Sequence, residues 1–173
     1  MRLRMLLVNL NDKNLKILYE QYKNAIYLFI LSMVKNASVA EDLTQEVYIK
    51  IIKYYKSYNP MYNPKTWIFQ IAKNTCYTYL KNEKEIPYDV NILLDKNYAT
   101  NIDESYLIRD YLSKLSDIDQ KIILLHIYAG LKHSEIAKIL DITTTNTKVR
   151  YHNALKKLEK ELENEKNWKT NKK

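Results

Sequence analysis

Glycine occurs once in this 173-residue chain and proline three times. Tight β-hairpins rely on glycine at positive φ, so its scarcity excludes a hairpin-rich fold and leaves an all-α architecture. A single cysteine, Cys76, excludes an internal disulfide and fits a reducing compartment. It sits among apolar neighbours on a predicted helix, which reads as a buried thiol and not a nucleophile. The three histidines, His126, His133 and His152, lack metal-ligand spacing and neighbouring cysteines. No glycine-rich phosphate loop, nucleophile elbow or paired-carboxylate pattern occurs, so no enzyme activity, metal or cofactor is expected. The opening MRLRMLLVNL has an apolar run too short to span a bilayer and no cleavage pattern. A cytoplasmic protein without membrane insertion is expected.

Charge and polar side chains are plentiful. The net charge is +8, with twelve basic and five acidic groups in residues 1–82 and fourteen and nine in residues 105–173. Between them, residues 83–104 carry two basic and six acidic groups. Two basic blocks flanking an acidic strip imply two nucleic-acid contacts with a different kind of connector. The sixteen tyrosines accompany abundant Lys, Asn and Ile, all residues with A/T-rich codons, so tyrosine as a class marks no site.

Residues 131–162 hold the sharpest pattern. A short apolar helix from about Ser134 to Leu140 meets a turn at Asp141–Ile142. Thr143 then serves as the N-cap of a long helix predicted over Thr144–Glu165. This is the layout of a helix-turn-helix, whose second helix lies in the DNA major groove. At 100° per residue, Thr147, Tyr151, Ala154, Leu155, Leu158 and Leu162 face inward. Thr145, Asn146, Val149, His152, Asn153 and Lys156 gather on the opposite side; with Thr144 and Lys148 they form a candidate duplex-reading set. Hydroxyl, amide and ammonium groups read base edges and phosphates, and Val149 suits a thymine methyl.

Upstream, Asp12 precedes a helix with Leu15, Leu18, Tyr19, Tyr22, Ile26, Phe29, Ile30 and Met33 at helical spacing. Ser38 with Glu41 reads as a capping box opening a second helix that runs to about Lys56. Two Asn-Pro steps in SYNPMYNP interrupt it, and a third helix is predicted from about Lys65 to Asn82. The expected organisation is an N-terminal extension (1–11), a helical domain (12–82), a flexible acidic linker (83–104), a helix-turn-helix domain (105–166) that begins with a helix near Ser105–Lys114 and another over Asp117–Tyr128, and a frayed tail (167–173).

Two surfaces of the first domain stand out. On the third helix Thr66, Gln70, Lys73, Asn74, Tyr77 and Lys81 share a face beside a loop carrying Tyr58, Asn59, Tyr62 and Asn63. Aromatics and amides on a basic surface suit single-stranded bases; a solvated helix face is the alternative. On the second helix Leu43, Val47, Ile51 and Tyr54 form a core seam, while Asp42, Gln45, Glu46 and Ile49 line another face. Carboxylates repel phosphate, so this face fits a protein partner or plain solvent.

AEDLTQEVYIKIIKYYKSYN, KTWIFQIAKNTCYTYL and the helix-turn-helix, in that order, resemble the extracytoplasmic-function group of bacterial sigma factors, within the primary-sigma family. The resemblance spans roughly residues 12–82 and 105–162. It implies a sigma factor that binds core RNA polymerase, directs it to promoter DNA and helps open the minus-ten segment. Asp42, Gln45, Glu46 and Ile49 would dock on the clamp helices of the β′ subunit, with the β flap as a second contact. Tyr58, Asn59, Tyr62, Asn63, Lys73, Asn74, Tyr77 and Lys81 would hold the minus-ten element, around a flipped base. The helix-turn-helix would read the minus-thirty-five element, and the acidic linker would thread polymerase's nucleic-acid channel. An anti-sigma factor is a further implied partner. The family often has arginine where this chain has Gln70, Lys73 and Lys81, and glycine where Asp141 stands, which weakens bidentate phosphate contacts and strains the turn. The alternative is a freestanding helix-turn-helix regulator that binds duplex DNA without polymerase.

Overall fold

The computed structural model describes residues 12–59, 61–83 and 112–170. The N-terminal extension, the acidic linker from residue 84 on and the start of the helix expected near Ser105 lie outside the described residues. Among those described there is no strand, and no helix is long and apolar enough to cross a membrane. The elements are α1 (Asp12–Val34), α2 (Ala37–Tyr54), a 3₁₀ turn (Tyr55–Ser57) and α3 (Pro64–Glu83), then α4 (Asp117–Ile123), a π-helical turn (Leu124–Tyr128), α5 (His133–Leu140) and α6 (Thr144–Thr170).

Local chemistry explains the boundaries. Lys35, at φ 58°, closes α1, and its N–H bonds to the Leu31 carbonyl at 2.9 Å. The cap of α2 is Asn36, whose side chain accepts from the Val39 N–H at 3.2 Å. The expected Ser38–Glu41 capping box is therefore displaced by two residues, because asparagine at the break reaches the free N–H first. Asn63 caps α3 through the Lys65 N–H at 2.9 Å, with Pro64 in the first helical position, where its missing N–H costs nothing. The only glycine, Gly130 (φ 63°), ends the π turn, and the Leu131 N–H returns to the Leu125 carbonyl at 3.0 Å. A Cβ at Gly130 would also stand 3.0 Å from Lys65 Nζ. Asp141 takes the third left-handed position, at φ 56°.

The two helical units share one core. Leu18, Ile26, Phe29, Ile30, Val47, Ile51, Ile68 and Phe69 of the first pack with Ile122, Leu125, Leu131, Ile136 and Ile139 of the second. Phe29 and Phe69 meet edge to face at 5.6 Å. A smaller cluster of Leu115, Ile123 and Ala154 fixes α6 on the outer side of α4. The α4–α5 layer thus lies between the first unit and α6. Three inward assignments change: Tyr54 is exposed at the end of α2, Leu162 is exposed past the span of α5, and Tyr19 is exposed while leaning on Tyr48. The expected frayed tail is helical as far as Thr170.

Candidate nucleic-acid interface

The helix-turn-helix is built by short-range hydrogen bonds. Asp141 and Ile142 both donate their N–H to the Ala137 carbonyl, turning the chain sharply after α5. Thr143 then caps α6, its hydroxyl oxygen accepting from the Asn146 N–H at 3.1 Å. Thr147 is fully buried, and its hydroxyl donates to the Thr143 carbonyl at 3.0 Å, so the core-side polar group is satisfied. Ala154 is buried beside it, with Tyr151, Leu155 and Leu158 half-buried. The outward face presents Thr145, Asn146, Lys148, Val149, His152, Asn153 and Lys156, all exposed; Thr144, next to the cap, is half-buried. The helical period read in the sequence therefore gives the outward face of α6 correctly.

Two of the three histidines, His126 and His133, come together beneath this helix, which their spacing did not disclose. His152 is exposed on the helix itself and meets the Tyr151 ring edge-on at 5.7 Å. His126 and His133 stack at 4.5 Å and 15°, and Tyr151 lies edge-on to His126 at 4.6 Å. His126 Nδ1 is 2.7 Å from the Leu131 carbonyl, which fixes the proton on that nitrogen. Among the described residues no group of three His, Cys, Asp or Glu is arranged to hold a metal. Desolvation, then the charges of His126, Lys148 and His152, hold the His133 pKa below the usual 6.5. The folded state therefore keeps His133 neutral where the unfolded chain protonates it. Stability is full above the ordinary imidazole range and falls as pH drops through it, flattening once the folded pKa is passed. Urea midpoints at pH 7.5 and 5.5 should show this loss, and His133→Gln should make it smaller; an equal loss in the variant would exclude His133 as its source.

The loop of the first unit is arranged differently from its sequence reading. Tyr62 is exposed, and so is Met61, which the aromatic–amide pattern did not single out. Tyr58 is buried against Trp67 at 5.2 Å, and its hydroxyl donates to the Tyr62 carbonyl at 2.6 Å. It shapes the loop and presents no stacking face. The Asn59 side chain accepts from the Met61 N–H at 2.9 Å. On α3, Asn74, Tyr77 and Lys81 are exposed, whereas Lys73 is buried, with its ammonium 2.6 Å from Asp141 Oδ2 and over the Tyr77 ring at 5.6 Å. Thr66 and Gln70 are half-buried, the Thr66 hydroxyl lying in the packed side.

On α2, Asp42, Gln45, Glu46 and Ile49 are all exposed, and Ile52 extends their face. Glu46 pairs with Lys50 at 2.7 Å, one turn on. Leu43, Val47 and Ile51 hold the opposite side in the core, and Cys76 is buried there, its thiol pushed up to about 12 by burial.

Residues 18–86 match the family model for sigma-70 region 2, and residues 105–158 match that for sigma-70 region 4. The chain is 30% identical to the ECF RNA polymerase sigma factor SigM of Bacillus subtilis, over 76% of this chain and 84% of the relative. It is 27% identical to SigX, an ECF RNA polymerase sigma factor of the same organism, over 88% and 85%. Among solved structures it is similar to the sigma factor RpoE in complex with the anti-sigma factor NepR from Bartonella quintana. That match has a TM-score of 0.64 and 23% identity, covering 87% of this chain and 98% of that one. It is also similar in fold to CnrH in complex with the cytosolic domain of CnrY, with a TM-score of 0.66 at 17% identity, covering 94% and 98%.

Proposed function

The chain belongs to the extracytoplasmic-function group of RNA polymerase sigma factors and directs RNA polymerase in transcription initiation; we propose that it divides this work among three surfaces. Asp42, Gln45, Glu46 and Ile49 of α2 dock on the β′ clamp helices, and the second unit meets the β flap. Tyr62, Asn63, Lys73, Asn74, Tyr77 and Lys81 hold the single-stranded minus-ten element, with Asn59 and the buried Tyr58 shaping the loop. The outward face of α6 reads the minus-thirty-five duplex.

The observation that carries this reading is the separation of chemistries. The α6 face exposes amides, hydroxyls and cations suited to DNA, while α2 exposes carboxylates beside bare isoleucines, which phosphate would repel and a protein groove would accept. A freestanding regulator has no use for the second patch. Polymerase supplies the chemistry, so the chain needs no catalytic residues, and its place of work is the cytoplasm. A similar sigma factor was solved with an anti-sigma factor, which supports such a partner here.

Run-off transcription with core polymerase on genomic DNA, with the starts mapped, tests the assignment of α6. Lys156→Ala should lower all promoters alike and reduce the salt dependence by about one charge. Asn146→Ala or Asn153→Ala should reorder promoters, by about 10- to 100-fold where the lost contact reads a base. Equal behaviour of both types across promoters would exclude base reading by this helix.

A further inference from the structure

We propose that Lys50 is a positioning residue of the docking face: tethered to α3, it holds the Glu46 carboxylate in place for polymerase. Lys50 Nζ is 2.7 Å from Glu46 Oε1, one turn back on α2. The same ammonium donates to Thr75 Oγ1 at 3.1 Å, and Thr75 belongs to α3, 25 positions later. Thr75 is 1% exposed, and its own hydroxyl proton goes to the Ile71 carbonyl at 2.9 Å, which leaves the oxygen to accept from Lys50. The Lys50 side chain is 30% exposed and that of Glu46 47%, so the contacts run from between two helices out to the docking face. Lys50 takes one oxygen of the carboxylate and leaves the other for a partner.

An i,i+4 ion pair at the surface contributes little alone, because two long side chains must be ordered to make it. Here a third group, on another helix, does the ordering. Leu43, Val47 and Ile51 seat α2 in the core, and the buried Thr75 hydroxyl fixes the Lys50 ammonium against α3. Glu46 therefore meets polymerase with part of its rotamer freedom already lost, and docking has less to order. Among the described residues Glu46 is also the one member of the Asp42, Gln45, Glu46 and Ile49 patch that an ion pair holds. Through-space charge acts in the opposite direction. A groove that accepts carboxylates is basic, so the Lys50 cation by itself opposes docking. Removing the ammonium strengthens docking if charge alone matters and weakens it if position matters.

This positioning role rests on the assignment of Glu46 to polymerase, and the test keeps the two claims apart. Titrations of the full chain with core polymerase compare Lys50→Met, Lys50→Arg, Thr75→Val and Glu46→Ala with the natural chain. Lys50→Met is also placed in the Thr75→Val and Glu46→Ala backgrounds. Lys50→Met keeps the apolar stem and loses the ammonium, and it should weaken binding about three- to tenfold, the scale of ordering one long side chain. Lys50→Arg, whose fork of donors spans both partners, should bind within about twofold of the natural chain. Thr75→Val should weaken binding in the same direction and add nothing to Lys50→Met. In the Glu46→Ala background Lys50→Met should change affinity by less than about twofold, because nothing is left to position. An undiminished loss in that background would overturn positioning, since Lys50 would then touch polymerase or support the fold. Unchanged or tighter binding by Lys50→Met, with Glu46→Ala weakened, would overturn positioning and leave the docking face standing. Natural affinity in Glu46→Ala would overturn the docking role of Glu46, and this inference with it.

Discussion

A chain with alanine at Asp42, Gln45, Glu46 and Ile49 is expected to fold normally and lose core RNA polymerase. All four side chains are exposed on α2, opposite the Leu43–Val47–Ile51 seam, so none holds the core. Exposed substitutions of this kind change stability by about 0.5 kcal/mol or less each. The one ion pair removed, Glu46–Lys50, has a half-exposed carboxylate and contributes little. In the proposed complex with polymerase the same groups would be desolvated. Truncating a charged partner there costs about 2–5 kcal/mol, and a central apolar anchor adds to it. Losses on one patch are not additive, so a fall of about 100- to 1,000-fold in affinity is the expected result, at 1.4 kcal/mol per tenfold. Co-purification and calorimetric titration against core polymerase measure it, with a thermal melt as the control for folding. Natural affinity in this variant would place the docking surface elsewhere on the chain.

Phe29→Ala should be the most damaging single core substitution and should unfold both helical units together. Phe29 is fully buried in α1 and meets Phe69 of α3 edge to face. The cluster around it includes Ile122, Leu125 and Ile136 from the second unit. Deleting the ring removes its transfer free energy and leaves a cavity that close-packed neighbours fill only in part, a loss of about 3–5 kcal/mol. Against a domain stability of about 5–15 kcal/mol this is a large share. Because one core spans both units, urea denaturation followed by circular dichroism should remain a single transition at a lower midpoint. Two separated transitions would mean that the units fold independently despite the shared core. Leu158→Ala, in the smaller cluster that fixes α6, should shift the midpoint far less, since Leu158 is only half-buried.

Much of the candidate site was legible because it depends on local rules. The inward and outward sets of α6 follow from the 100° period, and Thr143 announces the start of that helix through its own side chain. The Asn63–Pro64 step, legible only as a break, caps and opens α3. The turn at Asp141 was expected, and a left-handed aspartate forms it at φ 56°. The acidic face of α2 was equally plain, since exposure there needs only a seam of Leu43, Val47 and Ile51 on the other side. Local rules misjudged Tyr54, Leu162 and Tyr19, all at places where the packing partner ends or shifts before the period does.

The sequence alone determined the helices, their buried stripes, the two basic blocks and the family, because spacing and composition act within a few residues. Only the tertiary structure decided what those faces meet. Lys73 belongs to the polar face of α3 by its period, yet Asp141, 68 positions later, covers it at 2.6 Å. Tyr58 looked like a stacking platform until Trp67 and the Tyr62 carbonyl buried it. Two widely spaced histidines, His126 and His133, became one stack under α6, with Tyr151 against both. Periodicity gives the direction in which a side chain points from its own helix. It carries no information about which distant charge or ring arrives there, because that depends on how whole apolar faces pack together.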